Sequence, residues 1–182
     1  MVSQEKLLTV SAFEAFADAH DDQRFELIDG RMLEKMPTEE HAIIAANIVT
    51  ELTLYARKHG GRAAVEPRHR MPDDDHNARL PDVAYTAEAN LLPVVRTGSI
   101  PQMPDLAVEI QSPSQGPKLM ADKAAYYLTN GCRMVWLVYT SKKLVEIITH
   151  DDRQLLDTNE TINGADVLPD FSMSVALVFD KV

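Results

Sequence analysis

The chain has 182 residues, of which 45% are apolar, and its net charge is −10 at pH 7. This length and composition suit one domain with its own core, so we predict a single domain over residues 1–182. The negative charge argues against non-specific coating of nucleic acid, because affinity for phosphate backbones comes largely from Lys and Arg. No apolar run is long enough to span a membrane, and the N-terminus lacks a signal-peptide pattern, so we expect a cytoplasmic location.

The first part of the chain predicts a helix followed by a β-hairpin. Ser11 and Glu14 have the spacing of a capping box, which would open a short helix that ends near His20. The dipeptide Asp29-Gly30 is a strong signal for a hairpin turn, because both central positions of the turn can take positive φ. The two arms of the predicted hairpin are Phe25–Ile28 and Arg31–Met36.

The rest of the chain predicts a mixed sheet flanked by helices. Thr38 can cap a long core helix that stops at Gly60-Gly61, and a second helix is predicted for Lys118–Thr129. Five segments rich in β-branched and aromatic residues predict strands. These segments are Ala63–Met71, Asp82–Thr86, Leu106–Ile110, Met134–Tyr139 and Leu144–Thr149. The predicted class is therefore α/β, with a central mixed sheet, an N-terminal helix and a hairpin.

Two carboxylates in the predicted sheet indicate a metal site. Asp82 opens one strand and Glu109 lies in the next, so the two side chains could meet across neighbouring strands. Facing carboxylates repel one another unless they are protonated or bridged by a cation, and their hard oxygen atoms suit Mg²⁺ or Mn²⁺. Lys123, on the helix that follows, is the best candidate for a cation beside the reacting groups.

The motifs and their order resemble the PD-(D/E)XK nuclease superfamily, in the branch of restriction-endonuclease-like proteins often called Uma-two. The matching stretches are FELIDGRM, EEH, LPDVAY, PDLAVEIQSPS and DKAAYYLTNGCRMVWLV. The resemblance implies that Asp82 and Glu109 bind the metal, that Glu26 contributes a further carboxylate and that Lys123 is the catalytic lysine. Gln111 departs from the superfamily pattern, because it stands where many members have the lysine.

The implied activity is endonucleolytic hydrolysis of DNA by water that a divalent ion activates. Cleavage of both strands commonly uses two copies of such a site, so we expect a homodimer. Two other classes of function stay open at this stage. One is a nuclease fold that has lost cleavage and acts as a binding or assembly module, and the other is a structural homo-oligomer whose acidic residues form salt bridges.

Each candidate residue also has a purely structural interpretation. Asp82 could accept hydrogen bonds at the start of a strand, and Glu109 could form a buried salt bridge, for example with Lys123. Lys123 could instead be a solvated helix residue, and Glu26 an exposed residue of its strand. His41, early in the long helix, is expected on the helix surface and is left off the catalytic list.

Basic residues in the middle of the chain form a possible cationic face for a polyanion. Scattered, solvated charge is at least as good an interpretation. The residues are Arg62, Arg68, His69, Arg70 and Arg79.

Overall fold

The computed structural model describes residues 7–113 and 115–182. Its backbone divides into two compact units. The first, here called the N-terminal unit, comprises residues 1–36, 68–80 and 93–103. The second, here called the sheet unit, comprises residues 37–67, 81–92 and 104–182. The single domain over residues 1–182 therefore stays a prediction.

The N-terminal unit contains the predicted helix and hairpin. Helix α1 spans Val10–Ala19, strand β1 spans Arg24–Ile28 and strand β2 spans Arg31–Lys35. The two strands pair in antiparallel fashion around Asp29-Gly30, whose φ angles of 48° and 75° are those that the predicted turn requires. The predicted capping box is wrong, because the Thr9 side chain caps α1 and accepts a hydrogen bond from the Ala12 amide.

A six-stranded mixed sheet forms the centre of the sheet unit. Its strands are β3 (Arg62–Val65), β4 (Val83–Thr86), β5 (Leu106–Ile110), β6 (Met134–Tyr139), β7 (Leu144–Thr149) and β8 (Arg153–Leu156). They lie in the order of their numbers, and β5 pairs with β6 in parallel while the other neighbours are antiparallel. Helix α2 spans Glu39–His59 and helix α3 spans Pro117–Thr129, so both predicted helices are confirmed.

Some elements of the sheet unit differ from the prediction. Strand β3 ends at Val65 instead of continuing to Met71, because Glu66 has a φ of 49° and Pro67 has no amide proton to donate to a neighbouring strand. The sequence analysis missed β8, the short strands β9 (Thr161–Asn163) and β10 (Ser172–Ser174), and helix α4 (Val175–Val178). Within the described part of the chain, no helix is both long and apolar enough to cross a membrane.

The two faces of the sheet have different neighbours. Val108 and Ile110 of β5 share a core cluster with Ile44 and Ile48 of α2. Successive side chains of a strand point to opposite faces, so Glu109 projects away from that cluster. Helix α3 connects the parallel pair β5 and β6, and it supplies the side chains that Glu109 contacts.

Candidate active site

Glu109 lies in the middle of strand β5 and is 1% exposed. Its Oε2 accepts a hydrogen bond from Lys123 Nζ at 2.8 Å, and its Oε1 accepts one from the Tyr127 hydroxyl at 2.7 Å. Lys123 and Tyr127 are four residues apart on α3, a spacing that places both side chains on one face of the helix. The structure therefore brings Glu109 and Lys123 together in a buried ion pair, which is the structural alternative left open for Glu109. The solvated helix position considered for Lys123 is wrong, because its side chain is 3% exposed.

Asp82 directly precedes β4 and is as deeply buried as Glu109. Its Oδ2 accepts a hydrogen bond from the Ile110 amide at 2.6 Å and lies 3.1 Å from His41 Nε2. The Asp82 amide donates in turn to the Val108 carbonyl at 3.0 Å. The backbone and side chain of Asp82 thus bind the residues on both sides of Glu109, so the two carboxylates lie on adjoining stretches of neighbouring strands.

His41 is a site residue that the sequence analysis did not assign. It lies in the first turn of α2, where its amide donates to the Thr38 side chain, and it is 6% exposed. The expected helix-surface position is therefore wrong. The helical periodicity could have predicted this burial. His41 is three residues before Ile44 and seven before Ile48, so it lies on the stripe that α2 buries.

Glu26 belongs to β1 of the N-terminal unit, where it pairs with Leu33 of β2. Only 3% of Glu26 is exposed, so its interpretation as an exposed strand residue is wrong. A buried carboxylate needs compensating partners, and this one has interactions with its surroundings. Its assignment as a metal ligand stays a prediction.

Two arginines of the possible cationic face have acidic neighbours within the N-terminal unit. Arg68 pairs with Asp18 at 2.8 Å, and Arg70 lies 3.7 Å from Glu14. His69 is 1% exposed, and its burial lowers its pKa to about 4, although a hydrogen bond with the Gln102 carbonyl acts in the opposite direction. The imidazole of His69 is consequently neutral at pH 7 and adds no charge to a DNA-binding surface.

The donor chemistry of the site fits a hard divalent cation. Mg²⁺ commonly uses one or two carboxylates and completes its shell with water and substrate phosphates. Asp82 and Glu109 supply that number, while residues 7–113 and 115–182 contain no group of three or more His, Cys, Asp or Glu side chains able to hold a metal. Gln111, at the position where many superfamily members have a lysine, donates to the Gln115 carbonyl and so stabilises the following loop.

Comparison with known proteins agrees with the geometry. Residues 10–176 match the Uma2 family, described as "Putative restriction endonuclease". The chain belongs to the Uma2 family. This membership supports a nuclease function, and restriction-endonuclease-like families generally use divalent metal ions.

A solved structure shows the same fold. It is the crystal structure of a "putative nuclease belonging to DUF820" from Anabaena variabilis ATCC 29413, and the TM-score is 0.79. The match covers 94% of this chain and 97% of that chain, at 18% sequence identity. At this identity the similarity establishes the restriction-endonuclease-like fold. No curated protein matches the chain.

Proposed function

We propose that this Uma2 protein is an endonuclease that hydrolyses DNA phosphodiester bonds with the help of Mg²⁺ or Mn²⁺. The observation that supports the proposal best is the burial of Asp82 on the strand next to the Glu109–Lys123 ion pair, where Asp82 accepts a hydrogen bond from the amide that follows Glu109. Asp82 and Glu109 would bind the ion, and Glu26 would add a further carboxylate. A bound divalent ion lowers the pKa of water and stabilises negative charge on a phosphoryl group.

Lys123 would stabilise the negative charge that develops on the scissile phosphate and orient the attacking water. Its side chain is 3% exposed, and its ammonium lies 2.8 Å from Glu109, one of the proposed ligands. Buried ion pairs contribute little net stability, and apolar residues of similar volume often replace them without loss. A catalytic role therefore explains a buried Lys–Glu pair beside a second carboxylate better than a contribution to the stability of the fold does.

The proposed cleavage of duplex DNA also suggests how the chain assembles. Duplex cleavage requires one cut in each strand, so we propose that two copies of the chain act as a homodimer. Light scattering over a concentration series should give twice the chain mass, and a strict monomer that still makes double-strand breaks would contradict the dimer. A cytoplasmic location is also proposed, and cell fractionation would test it.

Calorimetric titration with Mn²⁺ tests the proposed ligands. We expect wild type to bind the ion, and Asp82→Asn and Glu109→Gln to lose most of that binding because each loses a charged oxygen ligand. Glu146→Gln is the matched control, since Glu146 is a second buried glutamate of the same sheet. Equal binding by wild type and the two site variants would remove the proposed metal site.

A cleavage assay then separates an enzyme from a binding module. Supercoiled, linear and single-stranded DNA would be incubated with each protein and Mg²⁺ or Mn²⁺ at several salt concentrations. We expect wild type to cut and Asp82→Asn to be inactive. A wild-type protein that binds Mn²⁺ but cuts none of these substrates would instead favour a catalytically inactive binding or assembly module.

A further inference from the structure

Two of the proposed metal-binding carboxylates, Asp82 and Glu109, each have a side chain of a different helix within hydrogen-bond distance. The imidazole of His41, on α2, lies 3.1 Å from Asp82, and the hydroxyl of Tyr127, on α3, lies 2.7 Å from Glu109. His41 is 6% exposed and Tyr127 is 1% exposed. Neither residue belongs to the proposed set of ligands and catalytic groups.

We propose that His41 and Tyr127 are positioning residues, which hold Asp82 and Glu109 in the orientation that binds the divalent ion. This inference rests on the proposed metal-dependent nuclease function. It assigns these two side chains an effect on metal affinity, which packing alone would not give them. Residues that hydrogen-bond to metal ligands typically change metal affinity or activity by about 10- to 100-fold when they are mutated.

Tyr127 fixes the orientation of the Glu109 carboxylate in combination with Lys123. Tyr127 binds Oε1 and Lys123 binds Oε2, so the donors act on different oxygens and together define the carboxylate plane. Tyr127 is a neutral donor and does not compete electrostatically with a cation. If only packing mattered at this position, phenylalanine would fill nearly the same space without a hydroxyl that has to be desolvated.

His41 acts on Asp82 in combination with the backbone of β5. The imidazole Nε2 and the Ile110 amide both lie within hydrogen-bond distance of Oδ2, at 3.1 Å and 2.6 Å. Two donors on one oxygen restrict rotation of the side chain, and because a carboxylate is planar they also fix the direction of Oδ1. A carboxylate has about four lone-pair sites, so it can accept these hydrogen bonds and still coordinate a cation.

The Tyr127→Phe variant tests the first half of the inference. It removes one oxygen atom and should keep the fold, so we expect roughly 10-fold or greater weakening of Mn²⁺ binding in calorimetry. Tyr139→Phe is the matched control, because the Tyr139 hydroxyl donates to Glu146, another buried glutamate of the sheet, at 2.8 Å. Unchanged Mn²⁺ affinity in Tyr127→Phe, or an equal loss in the control, would overturn the assignment of Tyr127.

The pair His41→Ala and His41→Gln tests the second half. The glutamine amide reaches about as far as Nε2 and can donate to Asp82, so we expect His41→Ala to weaken Mn²⁺ binding about 10-fold or more and His41→Gln to restore most of it. His59→Gln changes an exposed histidine at the end of the same helix and should bind like wild type. Loss of affinity without rescue by glutamine would contradict a positioning role.

Two further measurements distinguish a merely structural role of His41 and Tyr127 from the absence of a metal site. Thermal unfolding of the metal-free variants reports structural damage, and the electron paramagnetic resonance spectrum of bound Mn²⁺ reports the geometry of its ligands. Variants that unfold earlier but keep wild-type affinity and spectrum would show that both residues are merely structural, while the nuclease proposal stands. A wild-type protein that binds no Mn²⁺ would overturn the metal site itself and this inference with it.

Discussion

Two buried glutamates of the six-stranded sheet have the same kinds of partner in different surroundings. Glu109 contacts a lysine and a tyrosine, and Glu146 contacts Arg153 and Tyr139. Glu109 pairs in register with Leu137 of β6, which pairs with Glu146 of β7, so both glutamates project from the same face of the sheet. They are one intervening strand apart, about 10 Å.

The difference lies in the exposure of the cation. The Arg153 side chain, on the edge strand β8, is 59% exposed, whereas that of Lys123, on a helix that covers the sheet, is 3% exposed. Water and salt screen the first pair, so it needs little compensation. The Lys123 pair has to recover the desolvation of two charges, and proteins rarely retain such a pair for stability alone. Cation burial, more than the identity of the partners, therefore distinguishes the candidate active site from a structural ion pair.

The largest expected effect is on folding stability. Lys123→Met leaves the Glu109 charge buried without its cation and should lower the free energy of unfolding by about 3–5 kcal/mol, whereas Arg153→Met should cost about 0–1 kcal/mol. Urea titrations of both variants measure the difference. Adding Glu109→Gln to Lys123→Met removes the buried charge, so the double variant should regain part of the loss. Similar destabilisation by the two single variants would remove the contrast between the pairs.

Cleavage should distinguish the same two cations. Lys123→Gln keeps a donor for Glu109 but loses the positive charge, and we expect the cleavage rate to fall about 10²- to 10³-fold, as for loss of one group that stabilises transition-state charge. Arg153→Gln is the matched control and should cut at the wild-type rate. Single-turnover assays with a fixed DNA substrate measure the chemical step. Lys123→Gln cutting as fast as wild type would show that the lysine assignment is wrong.

The sequence predicted the elements with strong local signals. Strands β5, β6 and β7 have the predicted bounds, because each is an apolar run in the sheet with turn or helix signals around it. The short strand β8 lies at the edge of the sheet, and three of its four residues are exposed. It was missed because its sequence does not alternate between apolar and polar residues.

The candidate site was less predictable than the sheet. Asp82, Glu109 and Lys123 were predicted as site residues from two predicted strands and the helix that follows, and the helical spacing of Lys123 and Tyr127 was visible in the sequence. Their partners depend on the way that separate segments pack. The contact of His41 with Asp82 joins residues 41 positions apart, and no local pattern specifies such a distance. Tyr127 lies within the predicted helix Lys118–Thr129, but the hydrogen bond from its hydroxyl to Glu109 became visible only in the fold.

The smallest expected effect concerns the pH dependence of the Glu146 pair. Burial raises the pKa of Glu146, but the hydrogen bonds from Arg153 and Tyr139 more than offset it, so the net pKa is lowered from 4.5. A carboxyl group with a lowered folded-state pKa contributes its stability above the unfolded-state value, and that contribution is lost as pH falls through the folded-state pKa. Glu146→Gln has no charge to lose.

The stability difference between wild type and Glu146→Gln should therefore be largest near neutral pH and shrink as pH falls below 4.5. Urea titrations of both proteins at about pH 6 and about pH 3.5 measure it, and taking the difference removes the effect of the other carboxylates, which titrate alike in both proteins. The change should be modest because the exposed Arg153 is screened by water and salt. A difference that is constant or grows toward acid pH would show that the Arg153 pair does not stabilise ionised Glu146, and the structural ion pair would then no longer serve as the reference for Glu109.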